Sequence, residues 1–187
     1  MKIRKGTFET NSSSTHSIAI SKEKVDPYNL PLGSTIDFGI GEYGWEEDEY
    51  SFPSYMYTAL LSADDQDSIE KLKSILNKWG VKYRFQKPEW YYYCDGTDDR
   101  SIRWLNNGGI DHSGEAYSIM LAILNDEDLL ARALFGDSCV YTGNDNGSEG
   151  YNMCWCAEET IWDHNKDDEV KNPNHHPEKY DYFFKGN

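Results

Sequence analysis

The sequence predicts an α+β fold in a single domain, with a mixed or antiparallel sheet and three to four helices. Three observations carry this. Apolar residues recur at helical spacing in several separate stretches, and short β-friendly runs alternate with clusters of turn-forming residues. With 187 residues and 38% hydrophobic content, the chain can build one core but not two independent large ones.

The elements follow in chain order. Residues 3–8 and 16–20 are short and β-friendly, and Asn11-Ser12-Ser13-Ser14 between them supplies turn chemistry, so a hairpin is expected. Residues 34–38 give a third strand. Gly39, Gly41 and Gly44 then mark a loop from which the run Glu46-Glu47-Asp48-Glu49 projects. A helix over residues 55–61 precedes the clearest one, where Ile69, Leu72, Ile75, Leu76 and Trp79 share a face and Gly80 stands at C′. Asp64, Asp65 and Asp67 lie at its start and Lys71, Lys73 and Lys78 further along, the polarity that the helix dipole favours.

Residues 81–86 and 90–94 predict two strands around Lys87-Pro88-Glu89. The second contains Tyr91-Tyr92-Tyr93 without polar alternation, which predicts a strand covered on both faces. Helices are expected over residues 116–124 and 127–135, with Asp126 as N-cap and Gly136 as stop. Residues 138–142 and 151–157 read as strands joined by the φ-tolerant loop 143–147. The domain therefore spans residues 1–162. Residues 163–187 are a polar C-terminal tail, docked by the aromatics of residues 180–184.

Charge narrows the functional classes. A net charge of −15 argues against direct binding of free nucleic acid, because few cations are available to neutralise phosphates. Residues 26–70 contain eleven acids and no Lys or Arg, and residues 104–187 contain sixteen acids against five cations. Two such blocks generate a field that a basic partner would feel on approach. The same acids also serve solubility. No apolar run nears the roughly 18 residues that span a bilayer, so no membrane partner is expected. Four cysteines are too few for a disulfide scaffold, which places the chain in a reducing cytoplasm.

Candidate chemistry is scattered. His16 follows the hydroxyl-rich run Thr10-Asn11-Ser12-Ser13-Ser14-Thr15, but no nucleophile elbow surrounds those serines, and they serve equally as turn formers. Asp111-His112-Ser113 precedes a helix, where the same residues also explain a turn and an N-cap. His16 and His112, with Glu42, Asp111 or Asp145, form the one acid–base set that an enzyme reading can use. Cys154-x-Cys156, with His164, His175 and His176 downstream, has the atoms for zinc. Its i, i+2 spacing instead points both thiols to one strand face, so neither metal nor cofactor is expected. Gly39-Ile40-Gly41-Glu42-Tyr43-Gly44 has a glycine pattern of the nucleotide-binding kind, but the acids beyond it repel phosphate.

Four blocks carry a resemblance. They are Gly6-Thr7-Phe8-Glu9-Thr10-Asn11-Ser12-Ser13-Ser14-Thr15-His16-Ser17, Gly41-Glu42-Tyr43-Gly44-Trp45-Glu46, Ile110-Asp111-His112 and Tyr141-Thr142-Gly143-Asn144-Asp145-Asn146. Together they resemble a family of small proteins of phages and prophages of Gram-positive bacteria, a family that the resemblance links to type II anti-CRISPR proteins. The resemblance implies an inhibitor of the nuclease Cas9 and no catalytic assignment. Cas9 holds its heteroduplex in a cationic channel, so carboxylates can stand in for phosphates there as a nucleic-acid mimic. The expected partner is a basic protein surface, Cas9 or its guide-RNA complex, in the cytoplasm of an infected or lysogenic host. The expected contacts are Trp45, Glu46, Glu47, Asp48, Glu49 and Tyr50, with Asp163, Asp167, Asp168 and Glu169 nearer the C-terminus. Trp162 is a further aromatic anchor or a core residue. A phage assembly adaptor is the third reading.

Overall fold

Helix α1 (Phe52–Ser62) has apolar residues on every side, a pattern that requires burial all round. In a computed structural model it occupies the centre of the molecule. The structure describes residues 14–31, 35–43, 48–93, 102–110, 113–144, 159–163, 165–173 and 175–185. Around α1 lie α2 (Gln66–Lys78), α3 (Ser113–Leu124) and α4 (Glu127–Phe135). Phe52, Tyr55, Met56, Leu60 and Leu61 of α1 are at most 2% exposed, so this helix forms the middle of the core. The fold is a single α+β domain with four helices among the described residues.

The C-terminal ends of α1 and α2 are both closed by backbone geometry. Asp64 takes φ +53°, and the Asp65 and Asp64 N–H groups donate to the Leu60 and Leu61 carbonyls at 3.0 and 2.9 Å. Those two bonds make a Schellman stop. Asp65 is then the N-cap of α2, its carboxylate accepting the Ser68 N–H at 3.0 Å and the Tyr117 hydroxyl of α3 at 2.6 Å. At the far end Gly80 adopts φ +71°, and the Val81 and Gly80 N–H groups donate to the Leu76 and Asn77 carbonyls at 3.0 Å each. The buried face of α2 is Ile69, Leu72, Ile75 and Leu76, with Trp79 buried just beyond. Lys78 of α2 donates to Glu127 of α4 at 2.8 Å, joining two helices across the surface.

The main sheet is antiparallel, in the order β12 (Tyr180–Lys185), β1 (Ser14–Ser21), β9 (Cys139–Asn144), β4 (Asp48–Tyr50). Residues 16–21 of β1 are buried throughout. His16, Ile18 and Ile20 form one face and the small Ser17, Ala19 and Ser21 the other, as period-two alternation requires. Ile18 stands opposite Val140 on one side and Phe183 on the other. Two short parallel pairs complete the α1 side: β2 (Thr35–Phe38) with β5 (Lys82–Phe85), and β3 (Glu42–Tyr43) with β8 (Gly109–Ile110). The latter pair depends on Gly108, since a Cβ there would lie 2.4 Å from the Gly41 carbonyl oxygen. β6 (Trp90–Tyr93) pairs with β7 (Ile102–Leu105), and β10 (Thr160–Asp163) with β11 (Asp168–Lys171).

Several sequence expectations are thereby revised or passed over. The strands expected at residues 3–8 and 151–157 lie outside the described residues, and the described partners of β1 are β9 and β12. The strands flanking Lys87-Pro88-Glu89 form but do not pair with each other, because β5 is drawn to β2 and β6 to β7. Nor is β6 covered on both faces: Tyr91 is 57% exposed, while Trp90 packs on the core. The boundary at residue 163 falls inside the β10–β11 pairing, and the final aromatics do more than dock a tail. They form β12, which supplies six residues of register to the central strand.

Candidate functional site

His16 belongs to the core. It is 0% exposed, and its Nδ1 shares a 2.6 Å hydrogen bond with the hydroxyl of Tyr55 on α1. The Tyr55 ring meets His16 edge-on at 5.5 Å and Tyr43 of β3 at 5.1 Å, so three rings interlock between sheet and helix. Burial pushes the Tyr55 phenol well above its usual pKa, with Tyr43 and Glu115 adding to the effect. This phenol stays protonated and holds the imidazole in place.

The acid–base set does not converge among the described residues. Glu42 is exposed, and because neighbouring strand residues face opposite ways it points away from the side on which Tyr43 meets Tyr55. Asp111, His112 and Asp145 lie outside the described residues, as do Cys154, Cys156 and His164. No group of three or more His, Cys, Asp or Glu side chains suited to a metal occurs among the described residues. An open groove of about 610 Å3 is lined by Thr35, Asn77, Val81, Lys82, Tyr83 and Arg84, and neither His16 nor Glu42, the two described acid–base candidates, lines it. Among the described residues no helix is long and apolar enough to cross a membrane.

The acidic candidates divide by what holds them. Several other carboxylates have structural work. Asp65 and Asp126 cap helices, Asp37 grips Arg84 through two 2.6 Å bonds, and Glu127 receives Lys78. Hydrogen bonds from Ser68 and Tyr117 hold the Asp65 carboxyl below its usual pKa, and the Arg84 hydrogen bond does the same for Asp37. Asp128 and Asp181 both bind Arg132, at 3.1 and 2.9 Å, and Arg132 also donates to the Ser21 carbonyl at 2.8 Å. Burial raises the Asp181 pKa, but Arg132 and Lys22 outweigh it and the carboxyl ends below its usual value. This Arg132 junction ties α4 to β1 and β12. Apart from Asp128 one turn away, its partners are 49 and 111 residues distant in sequence, so no local pattern announces the link to the sheet.

The carboxylates of the β10–β11 hairpin are held differently. Asp167, Asp168 and Glu169 are exposed and make no ion pair among the described residues; the Glu169 N–H donates to Asp168 at 2.9 Å. Asp167 takes φ +52°, and the register sets Asp163 directly opposite Asp168 and Trp162 opposite Glu169. Of the other group, Trp45, Glu46 and Glu47 lie outside the described residues. Asp48, Glu49 and Tyr50 form β4, an edge of the main sheet, opposite Thr142, Tyr141 and Val140. The two acidic groups thus belong to different sheets. No protein-family model, curated protein or solved structure matches this chain.

Proposed function

We propose that this chain is an acidic binding protein of phage origin that occupies a basic surface of a host defence nuclease, the CRISPR nuclease Cas9 foremost, in the cytoplasm of the infected or lysogenic bacterium. The observation that carries this reading is the hairpin Asp167, Asp168 and Glu169, exposed and without counter-ions among the described residues. Asp65 and Asp126 cap helices and Asp37 and Glu127 neutralise cations; these three do neither. In a chain of net charge −15 they present oxygens to solvent on a short two-stranded support, an arrangement that can compete with phosphates for a cationic channel. The edge strand β4 includes Asp48 and Glu49, the end of the run Glu46-Glu47-Asp48-Glu49, and contributes a second acidic element.

The test is binding of the full chain to Cas9, with and without guide RNA, across a salt series. The expected result is a complex that weakens steeply from about 50 to 300 mM salt, as electrostatic association requires. Replacing Asp167, Asp168 and Glu169 together by Lys is expected to weaken it at least tenfold and flatten the salt dependence. Absence of a complex at low salt, or an affinity indifferent to both salt and these substitutions, overturns the reading. The acid–base alternative has no described convergence of His16 with a carboxylate in its favour.

A further inference from the structure

We draw no further inference here: the strongest candidate, the outer face of the two-stranded β6–β7 ribbon, where Tyr91 is 57% exposed and the register sets Trp104 opposite it, carries nothing because no observation in the structure shows what covers it.

Discussion

His16 and Tyr55 are polar residues placed where only apolar ones are inexpensive, and each makes the other tolerable. A buried hydroxyl or imidazole that loses its partner carries a desolvation penalty of about 1–3 kcal/mol. Tyr55→Phe keeps the ring contacts with His16 and Tyr43 and removes only the oxygen of the 2.6 Å bond. It is expected to lower unfolding free energy by about 1–2 kcal/mol in urea titrations. An unchanged midpoint would show that this bond adds nothing net. The same side chain sets an alkaline limit. Burial raises the folded Tyr55 pKa above that of the unfolded chain, so its contribution is fully present below about pH 10 and is lost as the pH rises beyond that. Alkaline unfolding of Tyr55→Phe should therefore show a shallower loss of stability above pH 10 than the parent.

At the scale of elements, the helix ends test whether local geometry alone sets their energetics. Gly80 has φ +71° and open space where a Cβ would go, so Gly80→Ala meets no clash and isolates the backbone cost. A loss of about 1–2 kcal/mol is expected. Asp64 occupies the equivalent position after α1 at φ +53°, so Asp64→Gly should gain about 0.5–1 kcal/mol in the same assay. If both changes leave the thermal midpoint unmoved, the two stops are not under conformational strain. Such features were legible in sequence because a cap and its helix are neighbours: Asp65, Gly80, Asp126 and Gly136 all stand at the ends they punctuate. Strand pairing was not. The partners of β1 come from residues 139–144 and 180–185, and nothing near His16 distinguishes them from any other β-friendly run. The Tyr91 misreading has the same source, since a run of aromatics signals β structure without saying which face meets the core.

The attachment of β12 rests on charge as well as on its ladder. Asp181 holds Arg132 at 2.9 Å and Lys22 at 3.4 Å, and together they keep its carboxyl below the usual pKa. A carboxyl depressed in the folded state contributes stability above its unfolded pKa of about 3.9 and loses it as the pH falls through the folded value. Asp65 acts in the same direction. Asp181→Asn should therefore reduce stability at pH 7 but make the acid limb below about pH 4 less steep. Amide exchange should quicken first in residues 180–185. Equal protection there in parent and variant would mean that the ladder alone fastens the strand.

For the whole molecule, the distribution of charge was legible in sequence, while the occupation of each acid was not. Composition places eleven acids in residues 26–70, but only the fold reveals that Asp37 is consumed by Arg84 and Asp65 by a cap. The hairpin acids differ because no ion pair among the described residues offsets their charge. Asp167, Asp168 and Glu169 are three consecutive exposed carboxylates in a chain of net charge −15, an arrangement that destabilises through self-repulsion. A protein selected for stability alone has no reason to place three such acids together, whereas one selected to engage cations does. The consequence is measurable without any partner. Asp168→Lys should raise the thermal midpoint by about 1–3 °C at low salt, by relieving that repulsion and placing a cation between Asp167 and Glu169. The gain should shrink above about 0.3 M salt, where exposed charges are more strongly screened. The same substitution should weaken the proposed complex with Cas9, so that stability and binding move in opposite directions. A midpoint that falls at low salt would mean that the carboxylate supports the hairpin, and the hairpin acids would then lose their claim to be held for a partner.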